Sequence, residues 1–269
     1  MKELCFDIST WQGGMNYESI KSRAKYCILR AGFSTTKDNY FEDHYANLQG
    51  LDLGAYWYSY ADSVDEARAE ARRFLEVIQD KKFTLPLYLD IEDASIRGHD
   101  RETLNNIVRA FGEVIENAGY YFGVYTNLDW YYNVISGREL NNKFDWWIAC
   151  WGYDPEHEDI NYGLWQYTSD YDADGERLDA NYLYKDYPTI IREAGLNHLG
   201  DEPAPSPEPT PTPSPDYDLL DLVRRTIRGD FGNGEERVIN LGDKYDEVQN
   251  QVNLNYEHGT TNWDNVRLY

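Results

Sequence analysis

Asp90 and Glu92 close the apolar run Leu85-Pro86-Leu87-Tyr88-Leu89. A run this apolar reads as a buried strand, and acids at its C-terminal end open it toward a cleft. Residues two apart on a strand share a side, about 6.6–6.8 Å apart along the chain. Both carboxylates therefore face one site, with Ile91 turned away. Two acids so placed cannot ionise evenly, and one holds its proton near neutral pH. A protonated acid paired with a carboxylate is the apparatus of glycoside hydrolysis. The competing reading is a strand running out into solvent at Asp90-Ile91-Glu92-Asp93, and this segment alone does not choose between them.

The elements that must position such a pair can be read around it. Strand-like segments fall at Leu4–Ile8, Tyr26–Ala31, Gly54–Tyr58, Leu85–Asp90, Phe122–Thr126, Trp146–Ala149, Leu164–Tyr167 and Arg177–Asn181. Ser63-x-x-Glu66 is a capping-box start, followed by Val64, Ala67, Ala71, Phe74, Leu75 and Ile78 on one helical face. Leu104, Ile107, Val108, Phe111 and Ile115 form a second stripe. Strands interleaved with helices in this length suggest a compact β/α barrel, whose strand ends converge on one mouth. Asp7 ends the first strand and Asp179 lies on the last, so both join Asp90 and Glu92 as candidate cleft acids.

Composition narrows the partners. The formal net charge of -23 argues against nucleic acid and anionic membrane. The 24 Tyr and 8 Trp offer platforms for sugar rings as well as core filling. Cys5, Cys27 and Cys150 each sit in an apolar run and read as reduced core residues. The five His show no metal-ligand spacing and read mostly as solvated surface. No cofactor is expected. The chain passes from Met1-Lys2-Glu3 straight into a strand, with no secretion signal, so a cytoplasmic origin is expected.

Proline occupies every second position from Pro203 to Pro215. Such a stretch favours extended polyproline II and would span roughly 40 Å as a spacer. Beyond it, Leu219, Leu222, Val223, Thr226 and Ile227 make one buried helical face. The turn Gly229–Gly234 precedes a second helix near Glu235–Leu241, and a third covers Lys244–Leu254 with Val248 and Val252 inward. Glu257–Tyr269 carries no readable pattern. A small bundle of this kind is usually a binding module.

Residues 3–190 resemble the glycoside hydrolase family 25 lysozymes, which are N-acetylmuramidases. The resemblance rests on Phe6-Asp7-Ile8-Ser9 with Trp11-Gln12, Gly54-Ala55-Tyr56, Asp90-x-Glu92, Tyr125-Thr126-Asn127, Trp147-Ile148-Ala149, Trp165 to Ser169, and Asp179-Ala180-Asn181, in that order. It implies an α/β fold class, an irregular β/α (TIM-like) barrel over 1–200, to which the proline run and the helical stripes add a linker over 201–215 and a small three-helix bundle over 216–269. It also implies hydrolysis of the β-1,4 bond between N-acetylmuramic acid and N-acetylglucosamine with retention. In this resemblance Glu92 is the general acid/base and Asp90 orients or stabilises the N-acetyl group. Asp7 and Asp179 act in positioning and electrostatics, with Asp7 the rival nucleophile. Tyr56, Tyr58, Tyr125, Trp147, Trp151, Trp165 and Gln166 are the candidate substrate-binding residues. Many family members carry a His after the third-strand Tyr, where this chain has Trp57-Tyr58.

Leu219–Tyr256 resembles a cell-wall-binding repeat of the Cpl-seven type, through Thr226–Arg237 and Tyr245-Asp246-x-Val248-Gln249-x-x-Val252-Asn253. Arg228, Asp230, Asn233 and Arg237 are its candidate wall contacts. Bacterial peptidoglycan is the implied partner. A single repeat, where tandem copies are usual, raises self-association as a route to affinity. The combination favours a phage endolysin, held in the host cytoplasm until lysis and then on the wall, over a bacterial autolysin.

Other readings fit less well. Asp170–Gly175 begins like a calcium loop but has Asn181 at the twelfth position, so a surface turn is preferred. Chitinase-like catalysis needs another Asp where Tyr88 stands. A glycan-binding protein without catalysis would not need all four acids.

Overall fold

The computed structural model describes residues 2–153, 155, 159–199, 219–228, 231, 237, 240, 241, 244–261 and 265–268. The chain divides into two compact units, Met1–Pro203 and Ala204–Tyr269.

In the first unit, β1 (Glu3–Ile8), β2 (Tyr26–Phe33), β4 (Asp52–Tyr58), β5 (Leu87–Asp90), β6 (Phe122–Asn127), β7 (Asp145–Ala149) and β8 (Tyr162–Ala173) run parallel to their neighbours. β9 (Glu176–Leu183) runs antiparallel between β8 and β1, and the β1–β2 pairing closes the barrel. A two-residue strand, β3 (Thr36–Lys37), only pairs β2 as a hairpin. Both faces of the strands are buried, which is why they read as continuous apolar runs rather than strict alternation. Cys5, Ile28, Tyr56, Tyr88, Tyr125, Trp147 and Leu164 fill the interior. Phe6, Leu29, Trp57, Leu89, Ile91, Val124 and Ile148 form the core between strands and helices.

The helical layer is thin. α1 (Glu18–Lys21), α2 (Phe41–Asn47), α5 (Gly137–Leu140) and α6 (Tyr187–Glu193) are short. Only α3 (Val64–Ile78) and α4 (Arg101–Asn117) are long, and they lay the two stripes read from sequence onto the barrel. Ser63 caps α3 by accepting from Glu66 N, but Glu66 reaches Asp62 N rather than completing the box on Ser63. No helix among the described residues is long and apolar enough to cross a membrane.

The acid-rich segment expected as a surface turn is instead an arm of the β8–β9 hairpin. Asp172 pairs Arg177 across the ladder, and only Asp174 and Gly175 turn, at φ 60° and 94°. Arg23 forks onto Asp174, and Arg177 faces Asp170 and Asp172, so arginines neutralise the run.

In the second unit, α7 (Leu219–Arg228) and α8 (Tyr245–Glu257) bury Leu222, Val223, Val248 and Val252 together with Leu241 and Val266. Most of the expected helix near Glu235–Leu241 lies outside the described residues. Val266 falls in the tail that showed no pattern. Asn255 holds that tail, accepting from Arg267 N and donating to Arg267 O.

Candidate active site

The mouth of the barrel, where the parallel strands end, collects the four acids. Asp7 faces inward from β1 and is paired in register with Asp179 of antiparallel β9. β9 enters from the mouth, so an acid early in that strand reaches the level of acids late in the others. Asp90 ends β5, and ladder-like bonds continue past it: Ser59 N to Asp90 O, Ile91 N to Tyr125 O, and Thr126 Oγ1 to Ile91 O. These keep the segment extended. Ile91 is buried in the outer core, and Asp90 and Glu92 share the opposite side.

Amide side chains orient the carboxylates. Asp7 Oδ2 accepts from Asn181 Nδ2 at 2.7 Å and from Gln166 Nε2 at 3.1 Å. Each amide is fixed by donors to its own oxygen: Trp147 Nε1 to Asn181, and Tyr125 OH and Trp151 Nε1 to Gln166. Glu92 Oε2 accepts from Asn127 Nδ2 at 3.2 Å. Asp90 is buried, and its Oδ1 has no hydrogen-bond partner. An orphaned buried carboxylate oxygen is costly, and a donor supplied by a ligand would relieve it.

All four carboxyls are shifted upward. Burial raises Asp90 well above the usual carboxylate range, and the neighbouring charges of Glu92 and Asp7 add to it against the opposing pull of Arg30. Burial also raises Glu92, against the lowering bond from Asn127. Asp7 is raised well above its usual value by burial and then by Asp179. Burial pushes Asp179 up to about 6, and the two share a hydrogen bond that requires a proton between them. The cleft can thus hold protonated and ionised carboxyls side by side, as acid/base chemistry on a glycoside requires.

A family model described as Glycosyl hydrolases family 25 matches residues 6–176, more than half of the chain. The chain belongs to glycosyl hydrolases family 25. A second model, the CW_7 repeat, matches residues 221–255. The family 25 barrel is similar in fold to the bacterial lysozyme from Streptomyces coelicolor, at 22% identity and TM-score 0.61, covering 74% of this chain and 99% of that one. It is also similar to the catalytic domain of endolysin ply40 from bacteriophage P40 of Listeria monocytogenes, at 23% and 0.59, covering 71% and 98%. The modular autolysin LytC from Streptococcus pneumoniae matches at 22% and 0.60, covering 68% of this chain and 47% of that one. Uncharacterized protein YegX of Escherichia coli (strain K12) is 23% identical over 179 residues, 63% of this chain and 64% of YegX. This chain therefore spans about half of LytC and less than two thirds of YegX.

Within the family 25 site, the expected aromatic residues divide by position. Trp147 is only 1% exposed and meets Tyr56, Tyr88 and Tyr125 edge-on at 4.4–5.8 Å. It is the floor under the acids, with no face free for a sugar. Trp165 is displaced from the cleft altogether. It lies on the opposite face of β8 from Gln166, packed on Tyr182 with Lys2 above it and Nε1 bonded to Cys150 O. Tyr56 and Tyr125 reach the cleft from below, Tyr58 donates to Asp93 Oδ2, and Trp151 stands exposed over Gln166.

Asn181, Asn127 and Arg30 complete the site; Asn181 and Asn127 end two of the motifs that carry the resemblance, but none of the three is among the candidate site residues. Asn181 was accessible by the rule that placed Asp90 and Glu92, since it lies two residues after Asp179 on the same strand. Arg30 faces inward from β2 and pairs with buried Asp38 at 2.7 Å. His44, one of five histidines read mostly as solvated surface, is fully buried: Nε2 donates to Ser9 O and Nδ1 accepts from Tyr17 OH. Burial lowers its pKa, so it stays neutral. Of the expected wall contacts, Arg228 is exposed at the end of α7, while Arg237 donates to Gln249 of α8. Asp230 and Asn233 lie outside the described residues.

Proposed function

We propose that this protein is a peptidoglycan hydrolase that cleaves the β-1,4 bond between N-acetylmuramic acid and N-acetylglucosamine with retention. The observation that carries the reading is the unpartnered, buried Asp90 oxygen on the same strand side as Glu92. In this reading protonated Glu92 gives its proton to the glycosidic oxygen as the bond to the anomeric carbon breaks. The acetamido oxygen of the same sugar attacks that carbon, and Asp90 accepts the acetamido N–H. Glu92, now ionised, takes a proton from water as the water opens the cyclic intermediate. Two inversions leave the β-anomer. Asp7 and Asp179 keep the cleft acidic and position the sugar.

Burial raises both Asp90 and Glu92. With substrate bound, an N–H on the orphan Asp90 oxygen and a developing positive charge both favour ionised Asp90 and leave the proton on Glu92. The C-terminal repeat holds the barrel on the bacterial wall, and the pairing of barrel with repeat favours a phage lysin over an autolysin. Digestion of purified peptidoglycan, with mass analysis of the new reducing ends, tests the proposal. Muramic-acid reducing ends released by the wild type and not by Glu92→Gln are expected. Binding without release would leave a lectin in its place.

A further inference from the structure

The rim of the barrel mouth carries four strongly exposed aromatics: Trp11 at 82%, Trp151 at 59%, Tyr153 at 48% and Tyr60 at 43%. Large exposed apolar side chains are few in this unit; among the described residues only Ile190 lies elsewhere. Each of the four follows the C-terminal end of a parallel strand, Trp11 after β1, Tyr60 after β4, and Trp151 and Tyr153 after β7. They therefore share one end of the barrel with the acids.

Their order around that end is informative. In the closed order β1, β2, β4, β5, β6, β7, β8, β9, strands β5 and β9 stand opposite one another, four places apart either way. The line from Glu92 after β5 to Asp179 on β9 thus divides the mouth. Trp151 and Tyr153 lie on one side of it, and Trp11 and Tyr60 on the other.

The backbone that carries Trp11 is well anchored, although the ring itself touches little. Ser9 Oγ accepts from Trp11 N, Gln12 Oε1 accepts from Ser9 N, and Thr10 N donates to buried Asp38. His44, fully buried, donates to Ser9 O. Two buried polar side chains thus brace a turn that presents a bare indole to solvent. A turn held in place spares the cost of ordering backbone on binding, and an exposed indole face suits the C–H face of a pyranose.

We infer that a glycan strand crosses the mouth over the acid line, with Trp11 as a sugar platform beyond the scissile linkage on the side opposite Trp151. This rests on the muramidase reading above and extends it to the length of strand recognised. Peptide-free glycan strands sorted by length provide the test, with kcat/KM measured on tetrasaccharide and on strands several times longer. For Trp11→Ala the ratio of long-strand to short-strand kcat/KM should fall roughly three- to tenfold from the wild-type ratio, the scale of one aromatic contact. Trp11→Phe should restore most of it. A Trp11→Ala ratio equal to wild type, or the same loss at both lengths, overturns the inference. A wild type that cleaves no strand of either length would bring down the muramidase reading first, and this inference with it.

Discussion

Asn127 Nδ2 donates to Glu92 Oε2 at 3.2 Å, and Asn127 Oδ1 is itself taken by Trp130 N. The amide is therefore fixed by the turn after β6, and Glu92 is oriented from the neighbouring strand rather than from its own. That bond opposes the rise that burial imposes on Glu92. Removing it in Asn127→Ala should push Glu92 further up and move the alkaline limb of the pH–activity profile to higher pH. The rate at the optimum should fall roughly tenfold, the scale of one bond to a charged group. An unmoved alkaline limb would show that Asn127 does not govern the acid.

Glu92→Gln itself keeps the size and the Asn127 contact but removes the transferable proton. General acid help is typically worth about 10²–10⁴ in rate, so lysis should nearly vanish with the fold unchanged. Asp90→Asn should be similarly severe. Near-normal turnover of Glu92→Gln would reopen the choice among Asp7, Asp90 and Asp179.

Raised carboxyls also mark stability. A carboxyl whose folded value is raised binds its proton more tightly in the folded than in the unfolded chain. For Asp179 the contribution is complete below the unfolded value, about 3.9, and is lost as pH rises through about 6. Asp7, Asp90 and Glu92 are displaced the same way. The melting temperature should therefore fall between about pH 4 and pH 7. Asp179→Asn should flatten that slope and raise Tm at pH 7.5 by about 2–4 °C for each ~1 kcal/mol relieved. Calorimetry across this range checks it, and an unchanged slope would place the burden on other groups.

What was legible in the sequence was what repeats locally. A period of two put Asp90 and Glu92 on one side and Ile91 in the core, and the helical stripes of α3 and α4 needed only their own spacing. Positions set by distant partners were not legible. His44 sits among the polar residues Glu42 and Asp43, and only its contact with Ser9, 35 residues away, reveals its burial. Trp165 looks like Trp147 in sequence, yet the two differ in which barrel face they occupy. Strand order decides that, and β7 and β8 also carry register shifts. Asn181 lay within reach of the period-two rule and Gln166 was a candidate sugar contact, but that both amides hold Asp7 appears only in the closed barrel.

Trp147 tests whether the floor governs the acids. Trp147→Phe keeps an aromatic ring but leaves buried Asn181 Oδ1 without its donor and opens a gap beside Tyr125. A loss of about 2–4 kcal/mol in urea denaturation is expected from the gap and the unpaired oxygen together. Asn181 would also be free to turn away from Asp7, so activity should fall even where the protein stays folded. Full activity in the folded fraction would show that the floor contributes packing alone.

The last expectation concerns the C-terminal unit and charge. If residues 216–269 tether the barrel, they raise its local concentration at the wall without entering the chemistry. Cutting the chain at Pro203 should then sharply reduce lysis of intact cells while leaving cleavage of soluble muropeptide fragments in place. Equal loss on both substrates would mean the unit supports the barrel itself. The net charge of -23 adds a second reading to the same experiment. A wall bearing anionic polymers repels such a protein, so encounter should be slow at low ionic strength and faster once moderate salt screens the repulsion. Wall binding of the full chain, followed from low to physiological salt, should hold or rise. A steep fall would locate a local basic patch as the dominant contact, and Arg228, exposed at the end of α7, would be the first residue to replace.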